Sequence, residues 1–283
     1  MIKLIVLDLD GTLLTSDKRI SPRNLRALEA CAAAGIHVVP STGRFYDGMP
    51  EVVRALPFVR YAITVNGAEI FDAVERKVLH REEIPLRRAE DVFDALDALP
   101  VIYDCFQDGW GWMDARLYRR IDEFISAPST NRMVKELRTP LEDFRETLRQ
   151  RGRSVQKIQM FFRDMDRRAV EYRRLTALFP DLAVSSSIVN NVEINHKNAN
   201  KGAALETLCR LLDIPVDCTM SFGDGDNDVP MLRSAGIGVA MENAAPEVRA
   251  QAGDVTLCND ADGVAFALAK HIPQVFSGGF QAI

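Results

Sequence analysis

The chain has 283 residues, of which 47% are hydrophobic, and its formal net charge is -5 at pH 7. This length accommodates one large domain or two of ordinary size, and the hydrophobic content excludes bulk disorder. The mild acidic charge, together with the absence of any run of five basic residues, gives no reason to expect nucleic acid as a partner.

The first residues and the cysteines bear on the location of the protein. The apolar run at residues 2–7 meets Asp8 at once, which is too short for a signal peptide or a membrane span. The five cysteines are scattered and contain no C-x-x-C pair, so they indicate neither a disulfide framework nor a zinc site. We therefore expect a soluble, cytoplasmic protein without a membrane partner.

Four short apolar segments, each ending in small or polar residues, have the pattern of strands buried on both faces. They cover residues 3–7, 36–39, 61–65 and 219–222. Between the first two, Ser21 as N-cap, Pro22 at the first helical position and Gly35 as terminator delimit a helix. A second helix is predicted at residues 201–212 from its leucine stripe. This alternation predicts an α/β fold with a parallel, doubly wound, Rossmann-like sheet, in which ligands bind beyond the carboxyl ends of the strands.

The middle of the chain, residues 83–190, has a different pattern. A hairpin, a strand and two helices are predicted there, at residues 108–109, 154–162, 87–99 and 164–179 respectively. This pattern predicts an inserted α+β domain. The first domain is then split into residues 1–82 and 191–283, and the chain returns to the first sheet within residues 189–202.

The segment FGDGDNDVP places three carboxylates within five residues: Asp224, Asp226 and Asp228. Its start matches an EF-hand calcium loop, but the sixth position is Val229 instead of glycine and the twelfth is Ala235 instead of glutamate. A dinucleotide-binding loop is also disfavoured, because the carboxylates would repel a pyrophosphate. The cluster therefore needs partners from elsewhere in the chain, or it is a solvated turn.

Other predicted strand ends supply such partners. Asp8 and Asp10 are two positions apart and project to one side of an extended chain. Thr42 and Gly43 offer a hydroxyl and an unhindered backbone N–H, and Lys201 offers a point charge at the start of a helix. Converging carboxylates suit a hard cation such as Mg²⁺, and the other groups suit a phosphoryl group. One carboxylate can attack phosphorus while another gives a proton to the leaving oxygen.

Four ordered motifs resemble those of the haloacid dehalogenase-like (HAD) hydrolase superfamily: DLDGT (8–12), STGR (41–44), Lys201 and GDGDND (223–228). NGAEIFD (66–72), VEIN with NKGAALETL (192–208) and the segment 238–268 resemble further landmarks of its Cof-type phosphatases. The insertion matches only in its general organisation. The resemblance implies a HAD core with an inserted α+β cap that sets substrate specificity.

The resemblance also implies catalytic roles for single residues. Asp8 is implied to be the nucleophile that forms an aspartyl-phosphate, and Asp10 to be the general acid and then the base that activates water. Thr42 and the Gly43 amide are implied to hold phosphate oxygens. Lys201 is implied to neutralise the nucleophile and the transferring group.

The implied cofactor is Mg²⁺. Its implied ligands are Asp8, the Asp10 carbonyl, Asp224 and, directly or as an outer support, Asp228. Asn227 is implied to contact phosphate or the lysine. Asn66 either takes a role on the substrate side or belongs only to an Asn-Gly turn, and Arg44 pairs with a core carboxylate. Asp226 has no implied role.

The sequence therefore predicts a Mg²⁺-dependent phosphatase, a phosphoric monoester hydrolase, that acts on a small phosphorylated metabolite such as a sugar phosphate or a phosphorylated cofactor. One alternative is a phosphomutase or phosphotransferase that uses the same aspartyl-phosphate. Another is a receiver-type signalling domain that accepts a phosphoryl group without turnover; the large insertion and Asp10 argue against it. The sequence leaves open the particular substrate and whether the protein is a monomer or a homodimer.

Overall fold

A computed structural model of the chain describes residues 1–276. The strands in chain order are β1 (Leu4–Leu7), β2 (His37–Pro40), β3 (Tyr61–Thr64), β4 (Glu69–Asp72), β5 (Lys77–Arg81), β6 (Ile102–Gln107), β7 (Trp110–Asp114), β8 (Arg138–Leu141), β9 (Lys157–Phe161), β10 (Leu182–Ser185), β11 (Asn191–His196), β12 (Thr219–Gly223), β13 (Ile237–Ala240) and β14 (Asp254–Val255).

The α-helices of the described residues are α1 (Pro22–Ala33), α2 (Glu51–Arg54), α3 (Leu86–Asp97), α4 (Ala115–Tyr118), α5 (Ile121–Phe124), α6 (Pro128–Glu136), α7 (Phe144–Arg151), α8 (Met165–Leu178), α9 (Lys201–Leu211), α10 (Val229–Ser234), α11 (Pro246–Arg249) and α12 (Gly263–His271). Short 3-10 helices lie at Tyr46–Gly48, Val65–Gly67, Val216–Cys218, Asp226–Asp228, Asn259–Ala261 and Pro273–Val275. Within residues 1–276, no helix is both long and apolar enough to cross a membrane.

The chain forms two compact units. The first contains Met1–Arg44, Met49–His80 and the chain from Asn200 onward, and the second contains Phe45–Gly48 and Arg81–Ala199. The sequence-based boundaries, at residues 82/83 and 190/191, therefore differ from this division by two residues at the start of the insertion and by nine at its end.

The first unit contains a parallel five-stranded sheet in the order β14-β13-β12-β1-β2. All four residues of β1 are buried, and Leu4 and Val6 belong to the same apolar cluster as Leu205 and Leu208 of α9. Ser21 caps α1 as predicted, its hydroxyl accepting a hydrogen bond from a backbone N–H 3.1 Å away. The predicted doubly wound α/β core is confirmed.

The strand predicted at residues 61–65 has a different partner arrangement. β3 pairs antiparallel with β4, in a three-stranded sheet β3-β4-β5, and an isolated parallel bridge between Ser41 and Ile63 joins it to the chain after β2. The reversal into β4 is made by Val65, Asn66 and Gly67, whose φ angles of 52°, 60° and 94° are all left-handed. The apolar pattern identified the strand and the Asn-Gly pair indicated a turn, but neither predicted the antiparallel pairing of β3 with β4.

The second unit contains a six-stranded sheet in the order β10-β11-β9-β6-β7-β8, and apolar residues of α3, α7 and α8 pack on one face of it. The predicted hairpin at residues 108–109 joins β6 to β7. The chain returns to the first unit at Asn200, inside the predicted range 189–202, but the strand in that range, β11, pairs antiparallel with β9 and β10 and belongs to the second sheet. The reason is that Val192 and Ile194 belong to the apolar cluster of the second unit.

Candidate active site

The candidate site lies at the carboxyl ends of β1, β2 and β12. Leu7 is in register with Pro40 on one side and with Phe222 on the other, so the three strands end at the same edge of the sheet. The backbone N–H of Asp8 donates to the Phe222 carbonyl over 3.0 Å, which places Asp8 beside the start of the acidic segment. Parallel strand order thus brings together motifs that are far apart in sequence.

Lys201 is the first residue of α9 and lies in the middle of this cluster. Its Nζ is 2.6 Å from Asp8 Oδ1 and 2.6 Å from Asp228 Oδ1, and its side chain is fully buried. Burial by itself lowers the pKa of Lys201, but the nearby carboxylates of Asp228 and Asp8 raise it further than burial lowers it. Lys201 is therefore a charged ammonium group that bridges two carboxylates.

The start of α9 is held in place by two local features. The Asn200 side chain caps the helix by accepting a hydrogen bond from the Ala203 backbone N–H at 2.9 Å. Gly67 approaches the same residue so closely that a Cβ on it would lie 2.3 Å from the Asn200 carbonyl oxygen. The left-handed turn after β3 thus sets the position from which Lys201 enters the site.

Three carboxylates gather around this lysine. Burial raises the pKa of Asp8 well above its usual value; Lys201 opposes this shift, and Asp228 and Asp224 add to it. One oxygen from each of these three aspartates lies within 4.8 Å of the other two. This set of oxygen donors, with a surplus of negative charge, fits a hard divalent cation such as Mg²⁺.

Asp228 braces the acidic segment from within. Its Oδ2 accepts hydrogen bonds from the backbone N–H groups of Asp224 and Gly225, both at 2.9 Å, while its Oδ1 faces Lys201. The Asp224 carboxylate accepts a 2.7 Å hydrogen bond from the Thr12 hydroxyl, and burial raises the pKa of Asp224 to about 6. Asp226, which the sequence left without a role, is exposed.

Asp10 lies in a different electrostatic setting from Asp8. Arg44 Nη2 lies 2.8 Å from one of its carboxylate oxygens and Lys18 Nζ lies 2.7 Å from the other. Burial raises the pKa of Asp10, but the two cations lower it by more, so the net shift is downward. The Asp10 carboxylate is not among the three that gather around Lys201 in the described structure, and Arg44 is its partner.

Thr42, Gly43 and Asn66 form the third side of the site. The Thr42 backbone N–H donates to the Ile63 carbonyl over 2.9 Å, and the Thr42 carbonyl accepts from the Asn66 N–H over 3.0 Å. A Cβ on Gly43 would lie 2.8 Å from Asn66 Oδ1, so glycine leaves room for that amide. Asn227 Nδ2 donates to Asn66 Oδ1 over 3.1 Å. Asn66 thus belongs to the Asn-Gly turn and also reaches the acidic segment.

Sequence reasoning missed two residues of this arrangement. Thr12 lies inside the DLDGT motif but was given no role, although its hydroxyl binds Asp224 across 212 positions of sequence. Lys18 lies in a polar loop without any motif, so no sequence pattern distinguishes it from an ordinary solvated lysine. Only the folded loop brings its ammonium group to Asp10.

Paired aspartates, a lysine and a hydroxyl at the edge of a parallel sheet are typical of one class of phosphoryl-transfer enzymes. A sequence model described as haloacid dehalogenase-like hydrolase matches residues 5–268. The chain belongs to the haloacid dehalogenase-like hydrolase family, as the motifs indicated.

Similar proteins cover nearly the whole chain. Phosphatase YwpJ of Bacillus subtilis (strain 168) is 34% identical over 95% of this chain and 99% of its own length. The 5-amino-6-(5-phospho-D-ribitylamino)uracil phosphatase YcsE of the same organism is 30% identical over 94% of each chain. A solved haloacid dehalogenase-like hydrolase from B. subtilis superposes with a TM-score of 0.81 and 32% identity over 96% of this chain and 100% of that one. The relatives support the predicted phosphoric monoester hydrolase activity.

Proposed function

We propose that this protein is a Mg²⁺-dependent phosphatase that hydrolyses a small phosphorylated metabolite through an aspartyl-phosphate on Asp8. The arrangement of Asp8 carries the proposal. Its Oδ1 is held by Lys201, while its Oδ2 accepts no hydrogen bond from any residue within 1–276. One carboxylate oxygen is thus fixed and charge-balanced, and the other is available to attack phosphorus.

In the first step, Asp8 Oδ2 forms a bond to phosphorus as the bond from phosphorus to the leaving oxygen breaks. Asp10 donates a proton to that oxygen, and the alcohol departs. The cations beside Asp10 favour its ionised form in the resting enzyme. The negative charge of an arriving phosphoryl group raises the pKa of a neighbouring carboxyl and so favours the protonated acid.

In the second step, Asp10 accepts a proton from water as the water oxygen bonds to phosphorus, and the bond from phosphorus to Asp8 breaks. Orthophosphate leaves, and the Asp8 carboxylate is restored. The Thr42 hydroxyl, the Gly43 N–H, the Asn227 amide and the Lys201 ammonium group are suited to hold the phosphoryl oxygens during both steps.

The carboxylates of Asp8, Asp224 and Asp228 and the carbonyl of Asp10 would hold Mg²⁺, with Asp228 as a direct ligand or as an outer support. When bound, Mg²⁺ neutralises the charge that develops on the phosphoryl oxygens. Asn66 would lie on the substrate side of the site and would orient Asn227, whose amide donates to it.

The substrate class rests on the relatives, of which YcsE is named as the phosphatase of a phosphorylated ribitylaminouracil. We propose a small phosphorylated metabolite of this general kind, a sugar phosphate or a phosphorylated cofactor. The cytoplasmic location stays a prediction, and both a monomer and a homodimer are compatible with the proposal.

A panel of phosphorylated metabolites, assayed for phosphate release with Mg²⁺ and after chelation, tests the proposal. We expect Asp8→Asn to abolish release and chelation to suppress it, whereas Asp226→Asn, the same change at an exposed aspartate, leaves it intact. Near wild-type release by Asp8→Asn would contradict the proposal. An isomerised phosphosugar in place of free phosphate would favour a mutase, and a stable phospho-protein without turnover would favour a receiver-type domain.

A further inference from the structure

The Asp10 carboxylate is held between two cations, one at each of its oxygens. Lys18 Nζ lies 2.7 Å from Oδ1 and Arg44 Nη2 lies 2.8 Å from Oδ2. One cation alone would leave the carboxylate free to rotate about its Cβ–Cγ bond. Because a different cation contacts each oxygen, the two contacts together define the plane of the carboxylate.

Lys18 reaches Asp10 from a closed turn. The Thr15 N–H donates to the Arg19 carbonyl over 2.9 Å, and the Lys18 N–H donates to the Thr15 carbonyl over 2.8 Å. Lys18 itself has a φ of 60°, a left-handed conformation that is costly for a residue with a side chain. The turn therefore gives Lys18 a particular direction instead of leaving it as a random surface lysine.

This turn is tied to a distant polar segment of the same unit. The Ser16 N–H and hydroxyl donate to the two carboxylate oxygens of Asp260 over 2.8 and 2.6 Å. The Asn259 amide donates to the Leu14 carbonyl over 2.9 Å and is buried. Asn259 and Asp260 thus bind the chain on either side of Thr15, where the turn begins.

We propose that Lys18 is a positioning residue for Asp10, and that Asp260 acts on Asp10 through Lys18 by anchoring the turn. This inference rests on the acid–base role of Asp10 in the proposed function. The Lys18 and Asp10 side chains are 51% and 37% exposed, so their ion pair contributes little to folding stability. Its effect is geometric, because proton transfer requires the donor and acceptor atoms to lie within hydrogen-bond reach.

The test compares substrates that do and do not need an acid. An alkyl phosphomonoester has a poor leaving group that must be protonated, whereas p-nitrophenyl phosphate releases a stable anion without a proton. We expect Lys18→Gln to lower kcat/KM for the alkyl ester by about 10-fold or more, as a small misplacement of a catalytic group does. The value for p-nitrophenyl phosphate should stay within about 2-fold of wild type, since that step bypasses the acid.

Three variants sharpen the comparison. Lys18→Arg keeps the cation and should restore much of the rate on the alkyl ester. Arg19→Gln is the matched control, because the neighbouring Arg19 side chain is 77% exposed and pairs only with Asp17 within the described chain. Asp260→Asn should reproduce the effect of Lys18→Gln more weakly. The two changes combined should be no worse than Lys18→Gln alone, because they act in series.

An equal loss on both substrates, or no loss on the alkyl ester, overturns the inference. Asp10→Asn separates this failure from failure of the proposed function. If Asp10→Asn loses the alkyl ester selectively while Lys18→Gln does not, only the role of Lys18 is wrong. If Asp10→Asn shows no dependence on the leaving group, the acid role is wrong and the inference is overturned with it.

Discussion

Lys201 and Asp8 are 193 positions apart in the chain, yet Lys201 Nζ lies 2.6 Å from Asp8 Oδ1 in a buried ion pair. The pair joins the end of the first strand to the start of α9. Neither group tolerates such burial alone, because removing one partner leaves an uncompensated charge in the interior. Stability therefore depends on this contact, and so does the chemistry that we propose for Asp8.

Lys201→Met should both abolish phosphate release and destabilise the fold. We expect the free energy of unfolding to fall by about 3–5 kcal/mol near neutral pH, because two buried carboxylates lose their counter-charge. The folded protein binds a proton at Asp8 more readily than the unfolded chain does, since its pKa is raised well above the usual value. Stability contributed by such a group falls as pH rises, so the loss should be smaller in mild acid.

Urea unfolding in mild acid and near neutral pH measures this effect. Lys3→Met is the control, because Lys3 is an exposed lysine that directly precedes β1. Equal unfolding free energies for the two variants near neutral pH would show that the buried pair contributes nothing.

Binding of Mg²⁺ should depend on pH through Asp224. Its pKa is raised to about 6, so the carboxylate is ionised above that value and loses its charge below it. A Mg²⁺ concentration of about 100 times Kd should stabilise the fold by about 2.7 kcal/mol when Asp224 is ionised. We expect the Mg²⁺-induced rise in Tm to shrink as pH falls through that pKa.

Thermal unfolding of Asp224→Asn and Asp226→Asn with and without Mg²⁺ provides the matched comparison. The substitution is identical, but Asp226 is exposed and lies outside the carboxylate cluster. A Mg²⁺ response that is the same in both variants would place the cation away from Asp224.

Gly67→Ala should destabilise the protein more than Gly35→Ala. Both glycines have positive φ, 94° and 79°, so each alanine suffers the left-handed penalty of about 1–2 kcal/mol. Only at Gly67 would the new Cβ also collide with backbone, 2.3 Å from the Asn200 carbonyl oxygen, whereas nothing lies within 4 Å at Gly35. Chemical unfolding measures the difference, and equal destabilisation would mean that the turn yields without moving α9.

Asn66→Gly tests whether the Asn66 amide serves the reaction or only the turn. Glycine adopts the left-handed φ of 60° without strain, so the substitution removes the amide while it preserves the backbone. If the amide orients Asn227 toward phosphate, kcat/KM should fall by roughly 10-fold, the usual effect of losing one hydrogen bond near a charged group. A fall in kcat/KM with an unchanged Tm would support that role. An unchanged kcat/KM would assign Asn66 to the turn alone.

Short-range pattern predicted much of the core. Apolar runs placed β1, β2 and β12 to within a residue or two, and Ser21 and Pro22 marked the start of α1, because these signals are local. The partner of β11 was not predictable in the same way. A run such as VEIN is apolar on one face in either sheet, and only long-range pairing with β9 selects the second unit.

The sequence was enough to propose candidate reactive groups and their order along the chain, because carboxylates, a hydroxyl and a lysine at the ends of apolar strands carry their chemistry locally. Their electrostatic states were not. Asp8 and Asp10 are near-identical in sequence context, yet burial raises the pKa of one and flanking cations lower that of the other. That difference comes from the burial of Asp8 beside Asp228 and Asp224 and from the placement of Arg44 and Lys18 beside Asp10, and it exists only after the tertiary fold has formed.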